Sequence, residues 1–102
     1  MLPKIVKYGP RRYKVITKEI TAIDTEVCYG TVSHLEETIQ IANKYPEWRQ
    51  EETFIHELTH IIDDDLHLEL TEEQIDGLAR GLCILLRENR DLFNKKVKNT
   101  KV

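Results

Sequence analysis

The stretch TFIHELTHIID, residues 53–63, sets two histidines four residues apart with a glutamate directly after the first. On a helix those positions lie one turn apart on one face. The imidazoles of His56 and His60 could then grip a single zinc ion, with Glu57 beside the place a water would take. That is the equipment of metal-assisted hydrolysis. The simpler reading is two solvated histidines on an acidic helix. Apolar residues on both flanks, and a second amphipathic stretch immediately after, favour the metal.

A catalytic zinc site takes a third protein ligand and keeps one position open. The pattern H-E-x-x-H-x-x-G-x-x-H would need glycine where Asp63 stands and histidine where Leu66 stands, and His67 is one residue late. Leu66 equally excludes an aspartate ligand at that position, although Asp63, Asp64 and Asp65 lie near enough to stay as minor candidates. What remains is a glutamate on the following helix: Glu69, Glu72 or Glu73. At 100° per residue Glu72 falls at the edge of an apolar arc with Asp76, Ala79 and Cys83, whereas Glu73 shares its side with Arg80 and Arg87 and reads as solvated. Glu69 precedes the helix and stays the alternative ligand. Asp76, one turn after Glu72, is placed to accept the free ring N–H of a zinc-bound histidine.

These residues need elements to hold them. Alternating apolar and polar residues at 4–7 and 13–17, around Gly9-Pro10, predict two strands joined by a turn. Residues 27–32 and 38–42 repeat the pattern and predict two more, with a helix over 35–42 as the competing reading. A helix is expected from Pro46, as its first residue, to Asp63, ended by the run Asp63, Asp64 and Asp65; Phe54, Ile55, Leu58, Ile61 and Ile62 form its core-facing arc. Thr71-Glu72-Glu73-Gln74 matches a capping box, so a second helix is expected to about Asn89, burying Ile75, Leu78, Ala79, Leu82, Leu85 and Leu86. The fold class is therefore α+β: a small, mostly antiparallel sheet packed on the histidine helix and the glutamate helix. Residues 1–93 are expected to form one domain, and 94–102, NKKVKNTKV, a mobile basic tail.

The 102 residues suit one small core. An apolar share of 40% with 32% charged residues is that of a folded soluble domain. No apolar run reaches the ~20 residues that span a bilayer, and the first residues lack an export signal, so we expect a cytoplasmic address and no membrane partner. Cys28 and Cys83 have no metal-ligand or redox spacing and read as buried thiols. The net charge of −3 conceals a segregation: residues 19–76 hold sixteen acids against Lys44 and Arg49, and both ends are basic. The basic residues lack the aromatic interleaving of a nucleic-acid surface, so nucleic acid is not an expected partner.

The order of short strands, then ETFIHELTHIID, then LTEEQIDGLARGLCILLRENRDLF, resembles the small ImmA/IrrE-type zinc metallopeptidases and the similar minimal gluzincins. The resemblance runs from about Tyr13 to Phe93. It implies a zincin-like fold, a Zn2+ cofactor held by His56, His60 and Glu72, Glu57 as general base, and a protein or peptide substrate. Where other members carry an acid followed by an Ala-Asn pair, this chain has Ile75-Asp76, closer to the gluzincin E-x-x-x-D. A strand at the rim could pair with an extended substrate, and Thr38–Ala42 is the expected rim. The oxyanion partner is left open among Tyr8, Tyr13, Tyr29, Tyr45 and His67. The alternative function is a zinc-binding but catalytically silent protein-interaction module. Some minimal gluzincins are latent because a neighbour's terminal segment fills the cleft, which suggests a weak homodimer through residues 94–102.

Overall fold

The computed structural model describes residues 2–20 and 29–93; Cys28 and the basic tail lie outside them. The chain is α+β, with four strands forming one mixed sheet and two helices following. Strands β1 (Ile5–Tyr8) and β2 (Arg11–Lys18) pair antiparallel across Gly9-Pro10. Gly9 turns there with φ +58°, a left-handed conformation that a residue without Cβ adopts freely. Strands β3 (Gly30–Ser33) and β4 (Thr38–Ala42) pair antiparallel across a four-residue turn, so residues 38–42 are a strand and not the competing helix. β4 also runs parallel to β2, with Val15 beside Ile39 and Thr17 beside Ile41. The sheet order is β1-β2-β4-β3.

One face of the sheet supplies the core. Tyr13, Ile39 and Ile41 are fully buried and pack with Phe54 and Ile61 of helix α1 (Glu47–Leu66). Pro46 is the N-cap of α1 and not its first helical residue; its carbonyl accepts from the N–H groups of Arg49 and Gln50. The helix continues three residues past the predicted end at Asp63, because the aspartates pair outward and do not break it: Asp64 lies beside His34 and Asp65 accepts a hydrogen bond from Tyr8.

Among the described residues helix α2 (Glu72–Glu88) packs on α1 and on no strand. That corrects the expectation that the sheet packs on both helices. With one neighbour α2 buries one narrow stripe, Ile75, Ala79 and Cys83, and leaves Leu78, Leu82, Leu85 and Leu86 exposed. Cys83 is a buried free thiol. Among the described residues no helix is long and apolar enough to cross a membrane.

Candidate metal centre

α1 presents its side chains to three surroundings. Phe54, Leu58 and Ile61 face the sheet. Thr53 lies against Gly30 of β3, and Asp64, three turns further on, lies against His34 just beyond β3. By helical phase Glu57 and His60 both flank the line from Thr53 to Asp64, and His60, on its α2 edge, joins His56 in reaching the acids of α2.

The loop between the helices brings the third group back. The backbone carbonyl of Asp63 accepts from the N–H groups of His67 and Leu68, and its carboxylate accepts from Leu70 N–H at 3.1 Å. His67 and Glu69 take left-handed φ values of 53° and 58°. That conformation costs about 1–2 kcal/mol for a residue with a Cβ, and the bonds to Asp63 offset it. The capping box then starts α2: the Thr71 hydroxyl accepts from Gln74 N–H, and the Gln74 side chain accepts from Thr71 N–H. Glu72 is thereby the first residue of α2, where the helix dipole favours a carboxylate.

Three donor groups converge. Glu72 Oε1 lies 2.9 Å from His60 Nε2, Glu72 Oε2 lies 3.5 Å from His56 Nε2, and the two Nε2 atoms are 3.1 Å apart. Ligand atoms ~2.0–2.1 Å from a tetrahedral zinc stand about 3.3 Å from one another, so these separations bracket the spacing zinc needs. On the far side of His56, Nδ1 lies 2.9 Å from Asp76 Oδ1. A ring that donates from Nδ1 keeps a lone pair on Nε2, and that lone pair is aimed into the cluster. His56, His60 and Glu72 form the group among the described residues that could hold a metal ion. Glu69 and Glu73 are exposed and outside it.

Glu57 is 6% exposed. Burial, and then the charge of Glu72, push its carboxyl up from 4.5 to about 7. Such a group can both accept and release a proton near neutrality.

The expected rim needs correction. β4 has a strand on each side, so its backbone is committed and Thr38–Ala42 cannot accept another chain. The edge strand that packs on α1 is β3: Gly30 lies against Thr53, and His34, the residue after the strand, lies beside Asp64, with Glu57 and His60 between those two points of the helix. A cavity of about 180 Å³ lies elsewhere, among Leu2, Phe54, Ile55, Cys83 and Leu86, and shares no residue with the cluster. It takes no part in the chemistry considered for the site.

No family model matches the chain, and no curated protein or solved structure matches it.

Proposed function

We propose that the protein is a zinc-dependent metallopeptidase of the gluzincin type, in a zincin-like fold, similar to the small ImmA/IrrE-type enzymes. The observation that carries this is the convergence of His56, His60 and Glu72, with Asp76 behind His56 and a buried glutamate, Glu57, between the two histidines in sequence. Zinc held there would act as a Lewis acid, making water a nucleophile and polarising the scissile carbonyl. Glu57 takes the proton from the attacking water and delivers it to the departing amide nitrogen, a task that suits a carboxyl near 7. Asp76 holds the His56 ring in one tautomer and orientation. An extended peptide would lie along β3. In this reading the protein resides in the reducing cytoplasm.

The second reading is a zinc-binding, catalytically silent interaction module. The exposed Leu78, Leu82 and Leu85 on α2 favour it, because an apolar helix face left open on one side is a surface for a partner. Zinc content and peptide-library cleavage, measured for wild type and Glu57→Gln, decide between the two. The peptidase predicts one zinc per chain in both proteins and cleavage by the wild type alone; full zinc without wild-type cleavage selects the module.

A further inference from the structure

Attack on a peptide carbonyl builds negative charge on its oxygen, and a hydrogen-bond donor fixed in advance where that charge appears speeds the reaction. The tyrosines and His67 do not supply it. Tyr8 donates to Asp65, Tyr29 and Tyr45 pack against each other with tilted rings near the start of α1, and His67 is the exposed C-cap of α1. Tyr13 is fully buried.

His34 is placed differently. It follows β3 directly, and its Nδ1 is 3.9 Å from the Asp64 carboxylate. Asp64 lies one turn beyond His60 on the same side of α1, ~6 Å along the helix axis. β3 therefore meets α1 at Gly30 and Thr53, and His34 meets it at Asp64, with Glu57 and His60 on the helix between. His34 thus stands where a peptide paired along β3 would leave the strand, with its side chain 31% exposed.

A chain of two hydrogen bonds decides which ring nitrogen carries its proton. Arg11 Nη1 donates to Tyr13 Oη at 3.0 Å, and a guanidinium can only donate. Burial raises the Tyr13 pKa, so the hydroxyl keeps its proton, and inside the protein that proton needs an acceptor. Among the described residues the acceptor in reach is His34 Nδ1, at 3.3 Å, and the Asp64 carboxylate, 3.9 Å from the same nitrogen, is beyond hydrogen-bond distance and does not compete for it. An imidazole that accepts at Nδ1 carries its hydrogen on Nε2. Arg11 also donates from Nη2 to the His34 carbonyl oxygen and pairs through Nε with Glu37, so it holds the whole turn as well as the hydroxyl.

We propose that His34 is the substrate-side donor of the site, its Nε2–H fixed by Arg11 and Tyr13 and directed to the carbonyl oxygen of the bond being cleaved. This rests on the peptidase reading. His34 makes and breaks no covalent bond; Tyr13 and Arg11 are positioning residues.

The test uses the zinc-loaded full chain and an N-phosphoryl dipeptide, whose tetrahedral phosphoryl oxygens mimic the charged carbonyl oxygen, with affinity read by calorimetry. His34→Ala should weaken binding by about a hundredfold, the order found when one oxyanion donor is removed. His34→Gln, which can still donate, should recover part of the loss. Zinc content should stay that of the wild type in both, while the melting temperature should fall in His34→Ala, which leaves the buried Tyr13 hydroxyl without its acceptor. Tyr13→Phe should convert the His34 ring 15N pattern from a single Nε2–H tautomer to a mixture. His34→Ala binding as tightly as wild type would overturn this role and leave the peptidase reading standing. No binding by fully zinc-loaded wild type would overturn both.

Discussion

Asp76 Oδ1 lies 2.9 Å from Nδ1 of His56, and one helical turn away Glu72 Oε1 lies 2.9 Å from Nε2 of His60. The two contacts step four residues in opposite directions along antiparallel helices. Arg80 and Glu52 continue the series with a looser approach of 4.0 Å. The same helix pairing that buries Ile75 and Ala79 thus sets both the ligands and the group behind one of them.

Metal content follows from that pairing. Purified protein should carry one zinc per chain by elemental analysis, and His56→Ala or His60→Ala should remove it. Stability should fall with the metal, since α2 is held to the rest of the molecule through α1 and a bound ion would clamp the two. Full occupancy in the double alanine variant would refute the ligand assignment.

The acidic residues around α2 should separate cleanly. Glu72→Ala should abolish tight zinc binding, Asp76→Ala should weaken it ~10 to 100-fold, as removal of a ligand's hydrogen-bond partner does, and Glu73→Ala and Glu69→Ala should be nearly silent. Competition with a fluorescent chelator measures each. Loss of binding in Glu69→Ala alone would move the third ligand into the loop.

Metal-free protein should lose stability as pH rises through neutrality. The Glu57 carboxyl is raised from 4.5 to about 7 by burial first and by Glu72 second. Between those values the folded chain binds more protons than the unfolded one, so unfolding free energy falls with pH, by at most ~1.4 kcal/mol per unit and about 3 kcal/mol in all. Urea titrations from pH 5 to 8 should show a slope in the wild type that Glu57→Gln lacks. Identical profiles would mean that Glu57 titrates as an exposed carboxylate.

What the sequence discloses here is what is local. His56, Glu57 and His60 lie within five residues, the Thr71 capping box within four, and helical phase alone separates Glu72 from Glu73. The misses are non-local. Nothing in residues 38–42 says that they insert between β2 and β3, and that insertion moves the available edge from β4 to β3. The apolar arc of α2 predicts a wide buried face, but how much of an arc is covered depends on how many neighbours arrive, and among the described helices and strands α1 is the one that does. Tyr13 and His34 are 21 residues apart and meet only because β2 and the β3–β4 turn share one end of the sheet.

The seating of β3 on α1 can be tested by adding one methyl group. A Cβ at Gly30 would stand 2.7 Å from Thr53 Cγ2 and 2.8 Å from the Gln40 carbonyl oxygen. The first contact is a side chain that can be trimmed; the second is backbone of the neighbouring strand. Gly30→Ala should therefore destabilise by about 1–3 kcal/mol, the usual range for overpacking, and Thr53→Ser in the same chain should restore only part. Gly77 and Gly81 are the controls, since a Cβ at either meets nothing within 4 Å. Alanine there should stabilise α2 by up to ~1 kcal/mol each through helix propensity. Thermal melts of the four variants suffice. If Gly30→Ala proved neutral while the helix variants behaved as expected, β3 would not rest against Thr53.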